Sequence, residues 1–191
     1  MLAGEALESA LRNLPLTPWT GVAYRLIPAQ YAGTALSSVG SFKRGGRYNP
    51  REAFEALYLA DTPLTALQEI NLVKVTEAAI LSAKSSPRLI LSVEVALSAV
   101  LDLTTVQVRD TLGTNLQELT GSWLVMNAGG QTAPTQALGT AAYNHGSVEA
   151  LRAPSAQDPR ATNLVIFPDR LRSGSQVRVY DDSGLIDATL A

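Results

Sequence analysis

No cysteine occurs among the 191 residues, so disulfides, thiolate zinc sites and a cysteine nucleophile are all excluded. That absence fits a reducing or an oxidising compartment equally well. Histidine is almost as scarce. With His145 alone, a multi-histidine metal centre is ruled out and no metal is expected. No apolar run approaches the roughly 20 residues that span a bilayer. The opening MLAGEALESALRNL lacks both a basic start and an apolar centre, and it carries Glu5 and Glu8, unlike a signal peptide or an anchor. Charge of either sign is not in excess either. Fifteen basic against 17 acidic residues leave a net charge of −2, which gives no general reason to expect nucleic acid or an anionic membrane as partner. A soluble cytoplasmic protein is the default expectation.

What is present reads as one globular domain over residues 1–191, 46% hydrophobic and 17% charged. Ala6, Leu7, Ala10, Leu11 and Leu14 fall at helical spacing, so an amphipathic helix over 4–13 opens the chain and Pro15 and Pro18 end it. Gly21 to Ile27 reads as a strand closed by Pro28. Residues 28–50 read as a long glycine- and serine-rich loop. Ala56 to Ala60 is a short buried strand, after which Asp61 or Thr62 caps a helix with Pro63 in its first turn. Leu64, Leu67, Ile70 and Val73 mark that helix's expected apolar face. Arg88 to Leu97 alternates as a strand, with Val100 to Leu103 continuing it past a bend. Short helices are expected over Thr104–Leu112 and Asn115–Leu119, broken at Gly113, and from Pro134 towards Tyr143 with Gly146 as the stop. Glu149–Arg152, Asn163–Phe167 and Gln176–Tyr180 finish the chain as strands. Strands early and late, with no regular βαβ alternation, define an α+β fold with a mixed sheet and surrounding helices.

The most informative stretch is Gly45-Gly46-Arg47-Tyr48-Asn49-Pro50, followed by Tyr58 in Leu57-Tyr58-Leu59-Ala60 and by Glu69 on the next helix. An arginine fork suits a pyrophosphate, an aromatic face suits a flat heterocycle, and a carboxylate suits a developing sugar cation. Together they point to a dinucleotide whose glycosidic bond is broken. The glycine loop lacks the Lys-Ser or Lys-Thr ending of a Walker loop. There is no GxGxxG between a strand and a helix, and no GxSxG serine elbow. Arg25, on the strand face shared by Ala23 and Ile27, needs an anion: an internal carboxylate such as Glu69, or a ligand phosphate. Taken singly, Tyr58 reads as a core tyrosine, Glu69 as a solvated glutamate, and Ser155 as the end of a strand or a turn cap. Lys43, Arg44, Arg47 and Arg51 read as a solvated basic run. His145, before Gly146, suits a helix C-terminus better than a general base. Trp19 and Trp123 read as packing residues.

In order and spacing these pieces resemble the RES-domain family, named for an arginine, a glutamate and a serine. The matching segments are Tyr24-Arg25, Gly45 to Pro50, Leu57 to Ala60, Ala66-Leu67-Gln68-Glu69, Leu151 to Ala156 and Asn163 to Phe167, covering about residues 20–180. Tyr48 stands where a tryptophan often follows the loop arginine, and segment 105–148 is longer than in compact members. The resemblance implies a fold similar to the ADP-ribosyltransferase toxins and an NAD+-destroying toxin of a bacterial toxin–antitoxin pair. It implies that Arg25 and Arg47 hold the pyrophosphate, Tyr58 orients the nicotinamide ribose end, and Glu69 is the catalytic carboxylate. Ser155 then binds or orients, and Tyr48 belongs to the same pocket. NAD+ is substrate rather than cofactor, and the acceptor is water, inorganic phosphate or a protein side chain. The partner implied is an Xre-like antitoxin that blocks the site, with related toxins assembling as dimers around it. An ADP-ribosyltransferase acting on a macromolecule and a non-catalytic binding domain stay open as alternatives.

Overall fold

The computed structural model describes residues 1–76 and 79–191. Helix α1 (Gly4–Arg12) forms where the apolar spacing places it and buries Leu7 and Leu11. Strand β1 (Thr17–Pro28) begins before Gly21 and runs through Pro18. The proline is tolerated because the register shifts between Thr17 and Trp19, so its missing N–H interrupts no regular ladder. The 28–50 stretch is not simply a loop. It holds a 3-10 segment at Ala29–Thr34 and helix α2 (Val39–Arg44), whose basic last turn suits the negative helix end.

Strand β2 (Leu57–Ala60) leads into helix α3 (Pro63–Glu69). Thr62, rather than Asp61, is the cap: its Oγ1 accepts the Thr65 N–H at 3.0 Å. The expected apolar face of α3 is wrong. Leu64 and Ile70 are exposed, Thr65, Ala66 and Gln68 are buried, and Val73 belongs to a strand. Seven residues make about two turns, too few for periodicity to select a face. Strands β3 (Val73–Val75) and β4 (Ile80–Ser82) pair separately. Strand β5 (Arg88–Asp102) runs unbroken through Ser98 and Ala99, where a bend was expected.

Helices α4 (Val106–Thr111) and α5 (Leu116–Thr120) flank Gly113, which takes a φ of +61°. Helix α6 (Trp123–Ala128) has no buried residue and left no amphipathic signal. Helix α7 (Pro134–Asn144) stops before Gly146 as expected. Strands β6 (Ala150–Pro154), β7 (Thr162–Ile166), β8 (Gln176–Tyr180) and β9 (Thr189–Leu190) complete the chain.

The main sheet runs β1-β2-β7-β6-β5-β8-β9, and β1 also pairs with β5. That second pairing closes β1, β2, β7, β6 and β5 into a barrel, removing two sheet edges. Strand β5 is long enough to hold β1 along one edge and both β8 and β6 along the other. Among the described residues only the β5–β6 pairing is parallel. The result is α+β: a β-barrel core with helices around it.

Strand alternation separates two apolar clusters. Leu57, Ile166 and Ala150 form one cross-strand row and join Ala23, Ile27, Leu91 and Val93 inside the barrel. Tyr58, Val165 and Leu151 form the next row and face outward, against Leu7, Leu112, Leu119 and Leu138 of the helical layer. The site described next lies on that outward face. Among the described residues no helix is long and apolar enough to cross a membrane, and no three of His, Cys, Asp and Glu converge as metal ligands.

Candidate active site

The Gly45–Pro50 loop is clamped from three sides. Gly45, at a φ of +74°, ends α2 and donates its N–H to the Ser41 carbonyl at 2.7 Å. The Tyr58 hydroxyl accepts the Tyr48 N–H at 2.9 Å and donates to Asn49 Oδ1 at 2.8 Å. Asn49, fully buried, donates through Nδ2 to the carbonyls of Ser41 and Phe54 at 2.9 and 3.2 Å. From the helical side, Gln136 Nε2 donates to the Gly46 carbonyl at 3.0 Å. Glycine is required at both close approaches. A Cβ on Gly46 would stand 2.5 Å from the Tyr58 hydroxyl, and one on Gly139 of α7 would stand 1.7 Å from the Tyr48 carbonyl oxygen. Leaving any of these buried groups unpaired costs about 1–3 kcal/mol, so the loop is preorganised. Sequence reasoning assigned Asn49 and Gln136 no part in this. The Asn-Pro pair marks a turn but carries no information about what the side chain bonds.

Glu69 is the last residue of α3, and its Oε1 accepts two hydrogen bonds, from Ser155 Oγ and Asn163 Nδ2, both at 2.6 Å. Ser155, buried just past the end of β6, also accepts the N–H groups of Gln157 and Asp158 through Oγ, at 3.1 and 3.3 Å. Asn163 pairs across the ladders with Ala60 and Ala153, which puts it on the face that carries Tyr58. Glu69 is therefore half-buried and held, not solvated.

Tyr48 connects this carboxylate to the arginine loop. Burial pushes its hydroxyl pKa well up; the Arg47 charge opposes that shift and the Glu69 charge adds to it. The hydroxyl thus lies within electrostatic reach of both charges, and it has no hydrogen-bond partner among the described residues. Burial likewise raises the Tyr58 hydroxyl, with the Tyr48 N–H opposing.

Arg47 donates through Nη1 to the carbonyls of Leu119 and Gly121, at 3.1 and 2.5 Å, where a cation suits the C-terminus of α5. Its Nε and Nη2 carry no hydrogen bond among the described residues. Arg25 is placed elsewhere. Tyr24 pairs with Ala60 and so shares the site's face, which turns Arg25 to the opposite one. The anion expected for it is not a carboxylate: Nη1 and Nη2 donate to the carbonyls of Ala35 and Ser37, both at 2.7 Å, and burial lowers its pKa to about 10. The structure thus brings together Arg47, Tyr48, Tyr58, Glu69 and Ser155, adds Asn163, and sets Arg25 apart. His145 follows α7 as its C-terminal cap. A cavity of about 320 Å³ lies at the other end of the β2–β7 pair, lined by Phe42, Phe54, Glu55, Tyr143, Pro168 and Asp169. None of the expected site residues lines it. Beside Asn163 lies a crevice of about 10 Å³, room for one water, lined also by Ala60, Asp61 and Arg152.

One oriented carboxylate on the barrel's outer face, an arginine loop and two tyrosines, Tyr48 buried and Tyr58 half-buried, make up the site. Residues 22–188 match the RES domain model, and the chain belongs to the RES-domain family. Two curated relatives are NAD(+) phosphorylase MbcT of Mycobacterium bovis and of Mycobacterium tuberculosis, each 33% identical over 119 residues, 60% of this chain and 62% of theirs. The match thus spans under two thirds of those relatives' length. A chain in the crystal structure of the M. tuberculosis MbcT–MbcA toxin–antitoxin complex superposes with a TM-score of 0.67 at 25% identity, covering 93% of this chain and 91% of that one.

Proposed function

We propose that this protein cleaves the nicotinamide–ribose bond of NAD+, as the toxin of a bacterial toxin–antitoxin pair. The observation that carries the reading is Glu69: a carboxylate held through one oxygen by two short hydrogen bonds, one from Asn163, on the strand face that carries Tyr58 and so the arginine loop that Tyr58 clamps. Nicotinamide leaves as a neutral base, so no strong general acid is needed. The carboxylate stabilises the oxocarbenium-like centre, directly or through the ribose 2′-hydroxyl. Arg47 offers Nε and Nη2 to the pyrophosphate. The hydroxyl of Tyr58 is committed to the loop, so its half-buried ring is what remains to contact the nicotinamide ribose end. Tyr48 lines the same pocket. Ser155 orients Glu69, and Arg25 supports the 35–37 segment from the barrel side instead of binding pyrophosphate.

The relatives named NAD(+) phosphorylase favour inorganic phosphate over water as acceptor, giving ADP-ribose 1″-phosphate and nicotinamide. The likeness to a chain of a toxin–antitoxin complex supports an antitoxin partner; that it is Xre-like and covers the site, with dimers assembling around it, is what the family resemblance implies. A fold similar to the ADP-ribosyltransferase toxins, folded as one unit over 1–191, completes the reading. Incubating the folded, antitoxin-free protein with NAD+, with and without phosphate, tests it. Nicotinamide release that accelerates with phosphate is the expected result; intact NAD+ in both arms would refute the proposal.

A further inference from the structure

The two oxygens of Glu69 have unequal surroundings. Oε1 receives the Ser155 hydroxyl and the Asn163 amide, while Oε2 has no hydrogen-bond partner among the described residues. Asn163 is well placed to impose that difference. Its backbone sits in β7 between β2 and β6, opposite Ala60 on one side and Ala153 on the other. A side chain rising from the middle of three paired strands has a fixed origin, whereas Glu69 ends a two-turn helix and needs an external hold. Ser155 is committed as well: Oγ gives its proton to Glu69 and accepts two backbone N–H groups, and the residue is 1% exposed.

We infer that Asn163 is a positioning residue for the reaction: together with Ser155 it turns Glu69 Oε1 into the protein and leaves Oε2 as the oxygen presented to the substrate ribose. The inference rests on the NAD+-cleaving reading above. An amide suits this task because it donates a hydrogen bond without adding charge. A carboxylate in its place cannot donate and sets a second negative charge against Oε1.

The test compares the full chain with Asn163→Ala and Asn163→Asp, measuring kcat and KM for NAD+ together with denaturation midpoints. Asn163→Ala is expected to lower kcat about 10–10²-fold while KM moves little, because the lost interaction acts in the transition state. Asn163→Asp, nearly isosteric, is expected to fall below Asn163→Ala. A role in packing alone predicts the reverse order, since Asp keeps the volume that Ala removes. An Asn163→Asp enzyme at least as fast as Asn163→Ala overturns the inference while leaving the NAD+ reading intact; a folded wild type without NAD+ turnover overturns both. Should the Asn163 variants not fold, Ser155→Ala decides: lowered kcat with little change in KM supports the arrangement, and raised KM with unchanged kcat makes Ser155 a substrate contact and refutes it.

Discussion

Glu69 and Glu149 are both carboxylates held by short hydrogen bonds, yet they do different work. At Glu149, wholly buried before β6, both oxygens are occupied. Oε2 accepts the Ser98 N–H, the Ser98 hydroxyl and the Ala99 N–H at 2.7, 2.9 and 2.7 Å, and Oε1 accepts the Arg172 N–H at 2.7 Å. The residue thus ties the middle of β5 to the segment between β7 and β8. At Glu69 all the bonding falls on one oxygen. The arginines repeat the contrast: Arg25 spends both Nη groups on loop carbonyls, and Arg47 spends one. On the proposed function, saturated charge builds structure and half-saturated charge is left for a ligand. Residue type does not distinguish the members of either pair.

Substituting each member of the carboxylate pair tests that contrast most severely. Glu149→Ala leaves three N–H donors, that of buried Ala99 among them, without an acceptor and is expected to destabilise the fold by about 3–5 kcal/mol, read from the urea midpoint. Glu69→Gln keeps an oxygen for both donors, so it is expected to preserve the midpoint while lowering NAD+ turnover about 10²–10³-fold. If Glu69→Gln unfolds the protein or Glu149→Ala leaves the midpoint in place, the contrast fails. The arginines come next. Arg47→Met is expected to raise KM for NAD+ about tenfold or more through the lost charge-assisted contact, with a modest change in stability. Arg25→Met is expected to lower stability by about 2–3 kcal/mol and to leave KM unchanged. An Arg25→Met protein of normal stability and raised KM would put Arg25 back at the pyrophosphate.

The smallest effect is one of pH. Burial acts to raise the Glu149 pKa, but the surrounding donors bring it out below the ordinary 4.5. They are the Arg172 and Ala99 N–H groups, Ser98, and a nearby Ser175 hydroxyl that forms no hydrogen bond of ordinary geometry. The folded value is thus below the unfolded one, and the unfolded chain takes up the proton first as pH falls. The contribution of Glu149 is full above about pH 4.5 and disappears as pH drops through the folded value. The stability gap between wild type and Glu149→Gln should therefore narrow in acid. A gap that stays constant from neutral pH down to about pH 3 would mean that the carboxylate is not held in its charged form.

Much of this was legible before any fold was known. The Thr62-Pro63 start of α3, the alternation of Leu89, Leu91, Val93 and Val95, the break at Gly113 and the stop at Gly146 are local signals, and each appears where expected. The arginine, tyrosine, glutamate and serine positions were legible too, as residue types in an order. Other features had no local signature. Helix α2 hides among glycines and serines, α6 buries nothing, and β3 and β4 are three residues each. Asn163 was legible as the asparagine of the strand that follows the serine segment, but not as a partner of Glu69, because a hydrogen bond to a residue 94 positions away leaves no mark on its neighbours.

Composition and local pattern by themselves determined that there is no disulfide or thiolate chemistry, roughly where the longer helices and strands lie, and which side chains could do chemistry. These follow from interactions within a few residues along the chain. Only the tertiary structure decided that Tyr24 and not Arg25 faces the site, that Thr65 and not Leu64 is buried, and which oxygen of Glu69 stays free. Those outcomes depend on the closure of β1 onto β5 and on the register of β2, β6 and β7. A shift of one residue in that register would turn Tyr24, Arg25 and Asn163 to the other face and take from Glu69 one of its two holds.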